Sequence, residues 1–167
     1  MTFKVGGICL AQLLNTTGDT HLKLSFHQRS SVIMQYEDDI NNWVPIDFEV
    51  CVFNETYNMH PKVNPKLNLF EVNLMFSKLR ALIKEKKEKN TFEKKEISTF
   101  EFFYELEFCE LVEENEIQCT VWMFEASRTL GKIHHVDRGF RFSTTLDSLI
   151  IFTDSLEQEL KQILQHT

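Results

Sequence analysis

An enzyme of this size would need a nucleophile beside a base, a cluster of metal ligands or a cradle for phosphate, and the 167 residues offer little of each. Six histidines are present, and His134 and His135 are adjacent. Adjacent residues point to opposite sides of a strand and diverge on a helix, and no H-x-x-x-H spacing makes up for this, so no two-ligand metal site is indicated. The cysteines are Cys9, Cys51, Cys109 and Cys119, without the C-x-x-C of a zinc knuckle or a thioredoxin-type site. No P-loop, G-x-G-x-x-G or G-x-S-x-G occurs. Carboxylates abound, but acid–base pairing is a matter of geometry, and Asp38-Asp39 reads as plain solvation. The expectation is no catalytic residue, no metal, no cofactor and no chemistry of the protein's own.

What the chain does offer is a surface. Thr99–Glu125 reads as two strands, Phe100–Leu111 and Ile117–Glu125, joined by Val112–Glu116. Phe102, Tyr104, Leu106 and Phe108 alternate with Glu101, Phe103, Glu105 and Glu107, the period-2 pattern of a half-buried strand. Ile117, Cys119, Val121 and Met123 alternate in the same way with Gln118, Thr120, Trp122 and Phe124. The apolar members are even-numbered in one strand and odd-numbered in the other, so apolar rows align only when even faces odd. A turn centred on Glu114–Asn115 satisfies this, with Leu106 opposite Met123 and Phe108 opposite Val121. It also sends Cys109 and Cys119 to opposite faces, which predicts free thiols and a reducing compartment.

The other face holds Glu105, Glu107, Trp122 and Phe124, and no Lys or Arg occurs from Glu96 through Ser127. An acidic face with large aromatics suits docking of a basic partner, and these four residues are the candidate partner-binding set. The competing reading places Phe103, Trp122 and Phe124 in a second core layer rimmed by glutamates. The acidic loop Glu37–Asp39 is the alternative surface.

Composition narrows the class. A net charge of −7 argues against nucleic acid as the main ligand. Fifteen Phe against five Gly and three Pro favours packed elements over long loops. No apolar run approaches the ~20 residues that span a membrane. Ile8–Leu14 lacks the flanks of a signal peptide, so a cytoplasmic protein is expected.

Strands are predicted at Leu22–His27, Val32–Tyr36, Trp43–Phe53 and Arg138–Ser143, with Phe3–Leu14 a strand or short helix. Pro45 suggests that the first residues of the third strand lie at an edge or outside the ladder. Asn54–Asn68 reads as a long polar connection, and Ser127–Asp137 as a loop. Asn68 and Glu71 have capping-box spacing ahead of a helix whose stripe is Leu69, Val72, Phe76, Leu79 and Ile83, ending in the solvated run Lys84–Asn90. Thr144 or Thr145 caps a last helix over Leu146–Gln165. The sum is one α+β domain over residues 1–167, a single antiparallel sheet with two main helices packed on one side.

The order and spacing resemble the WapI-type immunity proteins of bacterial polymorphic toxin systems over roughly Leu22 to His166. Asp39-Ile40-Asn41-Asn42-Trp43-Val44 is similar to an Asp-x-Asn-Trp-Leu-like strand opening, one residue longer. Glu71, Val72, Phe76 and Leu79 resemble the family's helix. Phe100-Glu101-Phe102 resembles a Leu-Glu-Pro-like strand start, with Phe102 in place of Pro. Thr145-Leu146-Asp147-Ser148-Leu149 runs into Phe152, Leu156 and Leu160 as the family's last helix does. The resemblance implies a non-catalytic protein that neutralises a cognate toxin domain by binding it, and the acidic balance suits a basic toxin. The alternative is a small structural or ligand-binding module of phage or housekeeping origin. Oligomeric state is not legible.

Overall fold

The structure, a computed structural model, describes residues 11–27, 42–59, 65–111 and 115–165. The predicted strand Val32–Tyr36, the loop Glu37–Asp39 and Cys9 lie outside these residues. In chain order the elements are β1 (Gln12–Leu14), β2 (Thr20–Phe26), β3 (Trp43–Val52), β4 (Glu55–Asn58), β5 (Lys66–Asn68), α1 (Leu69–Lys89), β6 (Lys95–Ser98), β7 (Tyr104–Leu111), β8 (Glu116–Phe124), α2 (Glu125–Arg128), β9 (Asp137–Thr144) and α3 (Leu146–Gln165).

These strands form two antiparallel sheets, and there are three helices among the described residues, which corrects the expected single sheet with two helices. The first sheet runs β1-β2-β3-β4, with β5 also paired to β3, and the second runs β6-β7-β8-β9. Three short strands were not predicted: β4 and β5 lie in the stretch read as a polar connection, and β6 follows the predicted helix end in a stretch given no element. Alternation shows that a strand has one buried face. It does not say which other strands share its ladder, and two sheets facing each other satisfy it as well as one sheet under helices. Pro45 is inside a ladder, opposite Lys66 of β5, at the end of β3 where pairing with β2 stops.

The inner faces meet in one core. Val44, Ile46, Phe48 and Val50 of β3 and Leu22 and Leu24 of β2 are buried with Leu106, Phe108, Val121 and Met123 of the second sheet. Phe48 stacks on Tyr104 across the divide, and Tyr57 of β4 packs against Phe140 of β9. Backbone joins the sheets where Thr16 N–H donates to the Ser143 carbonyl (3.0 Å). Arg138 of β9 spans from the Glu125 carboxylate (3.0 Å) to the face of Tyr57 (5.0 Å).

The helices close the core as their stripes predict. Asn68 caps α1 by accepting from Phe70 N–H, and Glu71 accepts from Asn68 N–H, both at 2.8 Å. Thr145 starts α3 by accepting from Ser148 N–H (3.1 Å). Phe76, Leu79, Leu156 and Leu160 are buried. Arg80 of α1 reaches Asp154 (2.7 Å) and Glu157 (2.8 Å) of α3. The lysine-rich end of α1 is not wholly solvated. Lys86 is buried, donating to Glu110 of β7 (2.7 Å) and to the carbonyl of the C-cap Asn90 (3.0 Å). No helix among the described residues is long and apolar enough to cross a membrane.

Candidate partner-binding face

The hairpin β7–β8 has the expected parity but not the expected pairing. Leu106 lies opposite Val121 and Phe108 opposite Cys119, two residues from the predicted alignment. A two-residue shift keeps every side chain on its face, so the apolar row remains inside. The first strand starts at Tyr104 rather than Phe100, because Thr99–Phe103 form a turn in which Phe102 N–H donates to the Thr99 carbonyl (3.1 Å). Phe102, predicted to join the buried row, is exposed.

Glu105, Glu107, Trp122 and Phe124 all lie on the outer face of the second sheet, half-buried. Trp122 is directly opposite Glu105 and diagonal to Glu107, to whose carboxylate its indole N–H donates (2.9 Å). On its other side Trp122 pairs with Gly139 of β9, and the ring lies over that glycine: a Cβ there would come 2.5 Å from Trp122 Cζ3. The indole therefore lies across the sheet, held by Glu107 and admitted by Gly139. Phe124 meets Phe102 edge to face, 6.0 Å between centroids. Phe103 packs against the core margin. The aromatics thus divide between the two readings: Phe103 serves the core, and Trp122 and Phe124 stay on the surface.

The face is less acidic than the sequence run implies. β6 pairs with β7 and brings Lys94 to Glu107 (3.3 Å) and to Glu96 (2.5 Å). Bonding to Glu96 and Glu107 holds the Lys94 ammonium above its usual pKa, and Lys94 in turn holds Glu96 below the usual carboxylate range. From the other edge Arg141 Nε donates to Thr120 Oγ1 (3.1 Å). Both cations lie outside Glu96–Ser127 in the chain and were invisible to a reading of that stretch alone. Glu105 accepts from Ser98 Oγ (2.6 Å).

Among the described residues no three His, Cys, Asp or Glu side chains are grouped to hold a metal ion, and the rings of His134 and His135 are 6.3 Å apart and tilted. The face presents half-buried aromatic rings and anchored carboxylates over a four-stranded ladder.

The model of the Immunity protein WapI-like family matches residues 12–164, from β1 to the last turn of α3. The chain belongs to this family. The match takes in β1, ahead of the Leu22 start that the resemblance suggested. Comparison with curated proteins and with solved structures gave no match. In this WapI-like chain the residues that carried the resemblance are chiefly structural: Glu71 closes the α1 cap, Val72, Phe76 and Leu79 are core, and Thr145 opens α3. Asp39 to Asn41 of the strand-opening motif lie outside the described residues. The Phe100-Glu101-Phe102 motif is different: its Phe102 is exposed and meets Phe124 of the outer face.

A second group of surface aromatics was missed by the sequence reading. Phe70 at the start of α1 stacks on Phe100 (6.3 Å), beside Phe102. The residues were in view, but no Gly, Pro or Asn marks Thr99–Phe103 as a turn, so alternation assigned Phe100 and Phe102 to a strand.

Proposed function

We propose that this WapI-like protein neutralises a cognate toxin domain by binding it directly, with no reaction of its own, and that Glu105, Glu107, Trp122 and Phe124 belong to the contact. The family match over residues 12–164 carries the reading. The outer face supports it physically. An inhibitor gains affinity from a surface that is already in its bound form, because little side-chain freedom is then lost on docking. Trp122 is fixed by Glu107 and by the bare backbone of Gly139, and Glu105 by Ser98. A net charge of −7 favours a basic toxin surface, whose opposite field speeds encounter and rejects other partners.

Co-expression tests the reading. Where a toxin domain is encoded beside this gene, it should arrest growth when induced alone; induced with this protein, it is expected to be harmless and to co-purify with it as a stoichiometric complex. Arrest that persists with the protein abundantly made refutes the proposal.

A further inference from the structure

We infer that the β6–β7 turn, with Phe70 and Phe124 beside it, is the anchoring site of that interface, and that it inserts Phe100 and Phe102 into an apolar recess of the toxin domain framed by lysine or arginine. The inference rests on the neutralisation reading and adds which surface dominates it.

Phe70, Phe100 and Phe102 are 64%, 58% and 66% exposed. They are not scattered. Phe70 stacks on Phe100, Phe102 meets Phe124, and Phe124 lies two residues along β8 from Trp122, so the aromatics continue into the outer face. Two exposed aromatic pairs borne on one turn mark an interaction site, whereas single exposed residues do not.

The backbone beneath is rigid. Buried Thr99 accepts from Phe103 N–H (2.8 Å) and Tyr104 N–H (3.3 Å) through its hydroxyl. Buried Glu71, already closing the α1 cap, uses its other oxygen to accept from Phe100 N–H (2.5 Å). Ser127 of α2 donates to the Phe102 carbonyl (2.8 Å). Two helices and the turn's own Thr99 thus hold a turn that leaves Phe100 and Phe102 exposed. Phe102 also has φ +51°, a left-handed conformation unfavourable for a bulky residue. Its ring's contact within the protein is the edge-to-face one with Phe124, which leaves most of the ring open to a partner.

Charge selects the partner's chemistry. Exposed Glu101 stands between the two phenylalanines, Glu105 follows the turn, and exposed Asp137 lies opposite Phe124 on β9. The nearest cations on α2 and β9, Arg128 and Arg138, are both drawn to Glu125 (2.8 and 3.0 Å). The rim offered to a partner is acidic, which complements a basic one.

The test is Phe102→Gly, measured against a toxin domain that the wild-type protein neutralises. Glycine accepts φ +51° freely, so the melting temperature should hold or rise. The complex should weaken at least about 30-fold, as for loss of an interface anchor. Phe100→Ser, at a position without the special φ, should weaken it comparably and serves if the first variant misfolds. Binding within about threefold of wild type in both variants overturns the anchoring site while leaving neutralisation standing. A fall in melting temperature in both variants assigns the rings to the fold and overturns it too. A wild-type dimer that Phe102→Gly dissociates assigns the patch to a second copy of this chain and likewise overturns it. Failure of the wild-type protein to bind any toxin domain removes both proposals.

Discussion

Phe48 of β3 and Tyr104 of β7 stack face to face, their ring centroids 4.1 Å apart and their planes within 6°, one ring from each sheet. No ladder joins these strands, so this fully buried pair is a main tie between the sheets. Phe48→Ala should cost about 3–5 kcal/mol, and Leu79→Ala, in the helix stripe over the same core, about 2–5 kcal/mol. Tyr104→Phe should be far milder, since the hydroxyl's recorded contact is a long one to Met75 Sδ (3.9 Å). Denaturant unfolding of the three variants checks the order.

Two buried glutamates should respond to pH with opposite sign. Arg128 and Arg138 hold Glu125 below the usual carboxylate range, so its stabilisation is present above the unfolded value near 4.5 and is lost as pH falls through the folded value. Burial raises Glu159, which accepts from Ala11 and Phe26 N–H, so its contribution is present below about 4.5 and is lost as pH rises through the folded value. Between pH 4 and 7, thermal melts should move in favour of wild type against Glu125→Gln, and in favour of the variant for Glu159→Gln.

Trp122→Ala should leave the fold intact and weaken the toxin complex by at least about 2 kcal/mol. Gly139→Ala is a gentler probe, because its new Cβ must displace the indole from above it and strain its bond to Glu107. A shift in Trp122 emission with a parallel loss of affinity is the expected result. Unchanged affinity in both variants moves the contact off this part of the face.

Reversing Glu105 and Glu107 to Lys should slow association mainly at low salt, because surface fields are screened at high salt. Lys94 already compensates Glu107, so the effect of Glu105→Lys alone should be the larger of the two single changes. Stopped-flow association rates at two ionic strengths separate these outcomes.

Denatured protein prepared without reductant should show four free thiols. Among the described residues Cys51, Cys109 and Cys119 are unbridged, with Cys109 on the outer face and Cys119 in the core. Burial pushes the Cys119 thiol well up, so in the native state it should resist a thiol reagent that labels exposed cysteines. A count below four in denaturant contradicts the assignment.

Local periodicity determined much of this protein. The Asn68–Glu71 cap, the stripes of α1 and α3, and the two faces of β7 and β8 are set by residues within a turn or two of one another, and each is present as read. Membership in the immunity family was legible in spaced, mostly structural residues. Four things were decided only by the tertiary structure. Strand alternation cannot choose between registers two residues apart, so Leu106 faces Val121 rather than Met123. Nor can it assign strands to sheets, so the chain builds two sheets where one was expected. A charge count along one stretch cannot see Lys94 and Arg141 arriving from neighbouring strands, nor Lys86 buried on Glu110. The turn that exposes Phe100 and Phe102 has no turn residues of its own. Its shape comes from Thr99, Glu71 and Ser127, the last two distant in the chain, and bonds of that kind exist only after folding.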